Sequence, residues 1–420
     1  MNRTTEAFIR AHRDDDVRQL VFQGSRYPDV DLPYALDQIA GWQRACKKLP
    51  SWAAVDGLRY PPHLSMEQCS SESTGAYKRS VLQRLTASWR DGALYDLTGG
   101  FGVDFSFLAP LFPTAVYVER QASLCELARH NFPLLGLRHA DVLCAEGEAV
   151  LEEIPEATES SPVVLFLDPA RRDSHGGKTV LLEDCTPDVT RLRDGLLRKA
   201  TLVMLKLSPM LDWHAAVAAL SAPVSGSVCE ETSGDVCGGV CEVHIVSVGN
   251  ECKELLLVLS RGFRGAPTVY CVNDGDSFIW QPGMETVSVI ANAEIMRRDP
   301  PFFLYEPNSS IRKAGCFDAV SARFGVFPLG ANSHLFVSTR LVPAFPGRRF
   351  VVETVTTMNK KQLKSALQGI TQANITVRNF PMTVKELRRK LKLRDGGDTY
   401  LFATTVGDRE HRLFICKKLN

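Results

Sequence analysis

A chain of 420 residues exceeds what one ordinary core supports, so two to four domains are expected. With 45% hydrophobic and 23% charged residues, no apolar run of spanning length, and a start (MNRTTEAFIRAHRDDD) without a signal-peptide pattern, the chain reads as a soluble protein rather than a membrane-spanning or secreted one. Its twelve cysteines lack paired spacing, the usage of reduced thiols in a cytoplasm, and the net charge of +1 hides a polarity: residues 341–420 hold 16 Lys and Arg against 6 Asp and Glu, or +10, which leaves −9 on the rest.

Up to about Arg79, apolar positions recur at helical spacing in AFIRAHRDDDVRQLVF and LPYALDQIAGWQRAC. Pro61 and Pro62 break the pattern before a further helical piece over Gln68–Leu85, which Ser71 or Ser73 would cap. A strand at Ala93–Leu97 then runs into YDLTGGFGVD, Tyr95 to Asp104, where Gly99, Gly100 and Gly102 make a tight turn into a helix. A Cβ in that turn would hold the backbone away from a bound ligand. Such a loop is a weak signal by itself.

The acids that follow sharpen it. Asp96 ends the first strand; Glu119 comes 23 residues later, Asp141 another 22, and Asp168 another 27. Each interval fits one strand and one helix, with strands at Ala115–Glu119, Arg138–Asp141, Val163–Asp168 and Leu202–Leu207 and helices such as Gln121–Asn131 and Val189–Lys199. Four carboxylates would thus gather along the carboxyl edge of a parallel sheet, where ligands bind. A nicotinamide or flavin dinucleotide would place phosphate at the helix start, where Asp104 repels it. The runs Glu242–Val248 and Glu254–Ser260, joined by Gly249–Lys253, predict a closing antiparallel hairpin that a dinucleotide domain does not need.

These residues resemble the class I S-adenosylmethionine-dependent methyltransferases. The resemblance implies that Asp96, Thr98, Gly99, Gly100 and Gly102 hold the methionine part of the cofactor, that Glu119 takes the ribose, and that Asp141 lies near the adenine. Thr98 stands where many members have their first glycine, a substitution also met in nucleic-acid methylating branches.

After the fourth strand comes Asp168-Pro169-Ala170-Arg171-Arg172. Methyl transfer needs alignment above all, and then a group that accepts the nucleophile's proton. Asp168, with Pro169 and Arg171, is the catalytic candidate, and Arg172 is a candidate for RNA phosphate, which a guanidinium fork matches. Enzymes that methylate exocyclic amines follow this acid with Pro-Pro and an aromatic; Ala-Arg-Arg here argues against base stacking and hence against an N6-adenine or N2-guanine target. The Asp-Pro-x-Arg order is similar to the pyrimidine C5 methyltransferases, whose chemistry requires a nucleophilic cysteine. Cys185, the nearest downstream, has no adjacent base or cationic pattern and reads as a structural thiol. Beyond the fifth strand, Lys206 is a candidate phosphate anchor, while Trp213 would either stack on a base or, the favoured reading, pack in the helix that Pro209 begins. Cys229, Cys237, Cys241 and His244 do not have zinc-finger spacing, and no metal is expected.

Residues 265–340 show strand-like runs Thr268–Cys271 and Ser277–Trp280 around Asn273-Asp-Gly-Asp, then Tyr305-Glu-Pro-Asn308 leading into one helix, SSIRKAGCFDAVSARFG. The last 80 residues give β-α-β-α-β-β: strand Phe350–Val355, helix Lys360–Leu367 after Asn359, strand Ile375–Phe380, helix Val384–Leu393 with a Thr383/Glu386 capping box, and the hairpin Tyr400–Thr405 with Arg412–Cys416. This pattern is similar to the THUMP-like domain, which in related enzymes accompanies tRNA or rRNA. Met66–Glu72 (MEQCSSE) with Ala76–Arg79 (AYKR), and the SSIRKAG stretch, resemble segments of the bacterial methyltransferases that carry it; in those the first lies near the cofactor mouth, which stands beside the simpler reading as a helix cap. Lys385, Arg388, Arg389 and Lys392 fall at i, i+3, i+4 and i+7, a basic stripe suited to RNA phosphates.

The expected architecture is α/β: a helical region at 1–80, a Rossmann-like class I methyltransferase sheet with its closing hairpin at 81–264, a small α/β connecting domain at 265–340, and a basic THUMP-like domain at 341–420. The expected function is S-adenosylmethionine-dependent methylation of a nucleotide in tRNA or rRNA. A catalytically idle, cofactor-dependent RNA-binding protein and a small-molecule methyltransferase with a solubilising tail are the alternatives.

Overall fold

The computed structural model describes residues 2–22, 26–171, 182–221, 237–283, 300–330, 332–407 and 409–419. Two compact units emerge: Met1–Val243 with Glu254–Gly265, and His244–Lys253 with Ala266–Asn420. The expected boundaries near residues 80 and 340 each fall inside one of these units.

The first unit begins with α1 (Arg3–His12), α2 (Val17–Val21), α3 (Leu32–Lys48), α4 (Pro50–Ala53), α5 (His63–Gln68) and α6 (Glu72–Leu85). Side-chain caps set where several of them start: Asn2 on α1, Asp31 on α3, and Ser71 on α6, whose hydroxyl accepts from the Thr74 amide at 3.3 Å. The pieces read as one helix over Gln68–Leu85 are two, since Cys69 adopts an extended conformation between α5 and α6.

The sheet follows as β1 (Ala93–Asp96), α7 (Val103–Leu108), β2 (Thr114–Glu119), α8 (Ala122–Leu134), β3 (Ala140–Cys144), α9 (Gly147–Glu153), β4 (Val163–Leu167), the two-residue β5 (Ala170–Arg171) and β6 (Cys185–Thr186), α10 (Val189–Lys199), β7 (Leu202–Leu207), α11 (Trp213–Ser221), and the hairpin β8 (Gly238–Val248) and β9 (Glu251–Arg261). Strand order in this unit is β8-β9-β7-β4-β1-β2-β3. The pairs from β7 to β3 are parallel and β9 is antiparallel to β7, so the closing hairpin is present. Every residue of β4, VVLFL, is buried, as expected for a central strand covered on both faces. Leu94, Phe105, Tyr117, Phe132, Phe166 and Met204 belong to its core, where each large apolar side chain removed from water contributes about 1.5–3 kcal/mol.

One strand departs from expectation. The third runs from Ala140 to Cys144, not Arg138–Asp141, and pairs Asp141 with Val116 while Cys144 pairs with Glu119. Asp141 therefore stands near the amino end of β3, about 10 Å along the strand from the carboxyl edge.

In the second unit, β10 (Thr268–Asn273) and β11 (Asp276–Trp280) form a hairpin. A seven-stranded sheet holds β12 (Phe302–Pro307), β13 (Phe327–Pro328), β14 (Phe336–Ser338), β15 (Gly347–Thr356), β16 (Asn374–Arg378), β17 (Thr399–Val406) and β18 (Glu410–Leu419) in the order β13-β14-β12-β15-β18-β17-β16. Between strands lie α12 (Ser309–Ala314), α13 (Phe317–Phe324), α14 (Lys360–Ala366) and α15 (Val384–Leu391). The single helix expected after Asn308 is split, because Gly315 takes a left-handed conformation at φ +73° and ends α12. The final β-α-β-α-β-β pattern is present, but β12 pairs antiparallel with β15 along six residues, so the stretch before residue 341 shares its sheet.

Candidate active site at the carboxyl edge of the parallel sheet

The glycine loop is fixed from several sides. The Gly99 amide donates to the Val118 carbonyl at 2.8 Å, and a Cβ there would lie 2.1 Å from the Tyr117 ring. Gly102, at φ +82°, starts α7 and would meet Phe132 at 2.8 Å. Gly100, at φ +55°, differs: a Cβ there has only the Thr98 carbonyl within 4 Å, so this point of the loop borders open space. Its amide donates to Glu119 Oε2 at 2.9 Å, while Glu119 Oε1 accepts from the Gln121 amide at 2.8 Å. Glu119 thus ends β2 and braces the loop, and each oxygen retains a lone pair for a hydroxyl donor.

Thr98 explains its place in the motif. Its Oγ1 accepts from the Asp168 amide at 2.6 Å, which ties the turn after β1 to the end of β4. A glycine could not do this. The Asp96 carboxylate accepts from the Thr98 amide at 3.0 Å. Burial pushes the Asp96 carboxyl well above its usual range despite that bond, and Asp104, Asp168 and Glu119 add to the rise.

Charges alternate across the floor of the edge. Asp168, with 38% of its side chain exposed, accepts from Lys206 Nζ at 2.5 Å. Lys206 also lies 3.6 Å from Asp104, which in turn lies 3.1 Å from Lys78. Lys78, fully buried on α6, donates to both Glu254 oxygens at 2.7 Å, and Ser70 donates to Asp104 at 2.7 Å. Burial would lower the Lys206 pKa, but Asp168 and Asp104 outweigh it and hold it raised. Burial likewise opposes ionisation of Asp104, and Lys78 and Lys206 overcome it to lower its pKa.

One expectation changes here. Lys206 is committed to carboxylates, so it does not stand ready as a phosphate anchor. Lys78 and Lys206 are shared among Asp104, Glu254 and Asp168, two cations against three carboxylates, so the edge keeps an excess of negative charge that disfavours a pyrophosphate. Lys78 and Glu254, 176 residues apart, also belong to the site; their signals in the sequence are the AYKR segment and the acid opening the run ELLLVLS. Because β9 is antiparallel to β7, with Leu255 opposite Leu207, that acid falls at the carboxyl edge.

Asp141, exposed near the wrong end of β3, is not gathered with the others. The acid beyond that strand is Glu146, an exposed residue before α9 that makes no capping hydrogen bond. Its neighbour Gly147 presses on the loop: a Cβ there would sit 2.3 Å from the Leu97 carbonyl. Glu146 consequently flanks the glycine turn.

Pro169 is buried and Arg171 enters β5, whose backbone pairs with β6 at Cys185. Arg172 and Cys229 lie outside the described residues. Cys185 is buried. Trp213 is also buried, at the start of α11 and stacked on His214 with ring centroids 3.7 Å apart, as the packing reading expects.

The basic stripe near the end is partly occupied. The capping box of Thr383 and Glu386 is formed, and Lys385 and Arg389 are exposed. Arg388, however, donates to Asp395 at 2.6 Å and to the Ala373 carbonyl at 3.1 Å. Lys392 ends α15 in a left-handed conformation at φ +56°, so it does not continue the stripe as an i+7 helical residue.

No curated protein matches the chain. A family model described as THUMP domain-like matches residues 347–418, and one described as a ferredoxin-like domain matches 303–346. Over part of its length the chain is similar to a SAM-dependent methyltransferase from Agrobacterium tumefaciens (14% identity, 44% of this chain and 61% of that one, TM-score 0.30). It is also similar to an rRNA methylase from Streptococcus thermophilus (15% identity, 41% and 87%, TM-score 0.27). Over nearly its whole length it is similar to a solved structure named "putative methyltransferase from Porphyromonas gingivalis W83", at 30% identity, 99% of this chain, 98% of that one and a TM-score of 0.79. The chain belongs to the family of that protein, the class I methyltransferases with a THUMP-like domain at the carboxyl end.

Proposed function

We propose that the protein transfers a methyl group from S-adenosylmethionine to a nucleotide of tRNA or rRNA. The observation that carries the chemistry is the meeting of Gly100, Glu119 and Asp168 at one sheet edge, linked through Thr98. The residues suit that cofactor: Gly100 leaves space beside the loop, Glu119 offers acceptors for ribose hydroxyls, and an edge rich in carboxylates suits a cationic sulfonium. When bound, the cofactor supplies an activated methyl group and a neutral thioether leaving group.

The chain's own part is alignment and proton acceptance. Lys206 holds Asp168 Oδ2, and Oδ1 makes no hydrogen bond among the described residues, so it can accept a proton or hydrogen bond from the incoming nucleophile. Asp168 is the catalytic residue on this reading, and Lys206, which never meets substrate, is a positioning residue. The RNA assignment rests on the THUMP domain-like match over 347–418 and on the +10 charge of residues 341–420. Asp168→Asn should lower methyl transfer to bulk RNA by about a hundredfold or more while cofactor affinity, read by calorimetry, changes little. Retained turnover would refute the role of Asp168. Mass mapping of nucleosides from cells with and without the protein would identify the product, and an unchanged RNA profile would count against RNA as substrate.

A further inference from the structure

In the second unit, Glu306 of β12 is almost wholly buried and accepts from two arginines. Arg348 of β15 donates to its Oε2 at 2.7 Å, and Arg378 of β16 donates to its Oε1 at 2.9 Å. That pair of bonds would complete a structural clasp. A third arginine does not fit such a clasp. The side chain of Arg312 on α12 makes no hydrogen bond or ion pair among the described residues, and its Nε is buried without a partner. The Nε of Arg378 and, on α12, the hydroxyl of Ser310 are buried without partners as well.

We propose that Arg312, Arg348 and Arg378 form a phosphate-binding site whose occupant, on the RNA reading given above, is a phosphate of the RNA. Three guanidinium groups against one carboxylate leave an uncompensated positive charge at a place where charge is costly to bury. Burial, and then the charge of Arg378, push the Arg312 guanidinium below its ordinary value, although Glu306 pulls the other way. A phosphate offers acceptors in several directions, and guanidinium forks match it better than any neutral ligand does. Arg348 also lines a cavity of about 310 Å³ together with Asn250, Asn273, Asn308, Arg349 and Lys418. The acid at that cavity, Asp274, is taken up by the Gly249 amide at 2.9 Å and the Asn273 side chain at 3.1 Å. Amides and cations together suit a sugar-phosphate chain running on from the arginines.

The test compares wild-type protein with Arg312→Gln in two titrations, inorganic phosphate and bulk tRNA. Phosphate should bind the wild type and raise its melting temperature, and the variant should bind it about tenfold to a hundredfold more weakly. The variant should also bind tRNA more weakly, with a salt slope smaller by about one. Equal phosphate binding by both proteins, or none by the wild type, overturns the site. Lost phosphate binding with unchanged tRNA binding overturns the RNA assignment. A wild type that binds no tRNA at all refutes the RNA reading of the function instead, and the phosphate titration still decides the site. Should Arg312→Gln not fold, Arg312→Lys keeps the charge without the fork and should weaken phosphate binding several-fold; unchanged affinity in that variant overturns the proposal.

Discussion

The side chains at the sheet edge divide into those that shape the loop and those that face the cleft, and spacing alone blurs the two. Asp141 has the right interval from Glu119, 22 residues, but an interval counts residues and does not fix where a strand ends. The run ADVLC carries β3 three residues beyond Asp141, which leaves the edge to Glu146. Glu146→Ala should therefore weaken S-adenosylmethionine binding about tenfold, as loss of a hydrogen bond to a charged group does, and Asp141→Ala should leave it unchanged. Calorimetry giving the opposite ranking would restore Asp141. Asp96 supports a second prediction. Its raised pKa comes first from burial and then from neighbouring carboxylates, so a cation bound beside it favours the ionised form. Cofactor binding should release a proton, and affinity should rise with pH above the usual carboxylate range and level off once Asp96 is ionised in the free protein. Binding enthalpies that do not vary between buffers of different ionisation enthalpy would show that Asp96 takes no part.

At the scale of elements, much was legible because local chemistry agrees with the fold. The Thr383/Glu386 capping box, the Asn359 cap, the five-residue apolar run of β4 and the final hairpin are local signals, and each element lies where its residues indicate. What could not be read is what a side chain meets from far away in sequence. The periodicity of α15 predicts a basic stripe, yet Asp395, beyond the end of the helix, holds Arg388, and the left-handed turn at Lys392 ends the regular spacing. The two arginines should accordingly behave differently. Arg388→Ala removes a bond to Asp395 and one to the Ala373 carbonyl, and should destabilise the protein by about 1 kcal/mol with little change in the salt dependence of RNA binding. Lys385→Ala with Arg389→Ala removes two exposed cations, and should leave the melting temperature nearly unchanged while reducing the salt slope by about two. Equal effects of both variants on the slope would mean that the Arg388–Asp395 pair opens when RNA binds.

For the molecule as a whole, charge and core divide the chain at different places. The basic composition begins near residue 341, where the sequence suggests a domain boundary. The core ignores it: Phe302, Leu304, Leu335 and Val337 pack in one cluster with Phe350, Phe402 and Phe414. Glu306, before the compositional shift, is held by Arg348 and Arg378, after it. Composition reports what a surface meets, whereas strand pairing and buried area decide what folds together. Among the described residues no helix is long and apolar enough to cross a membrane. Truncation after Arg340 would remove the β15 partner of β12 along its six paired residues and expose one face of an aromatic core. Such a fragment should lose the protease resistance of residues 300–340 and bind a hydrophobic dye, while the glycine loop of the first unit, which makes its hydrogen bonds within that unit, should still bind cofactor. A fragment 1–340 that protected residues 300–340 from protease as well as the full chain does would show that the early strands of this sheet are stable without the late ones.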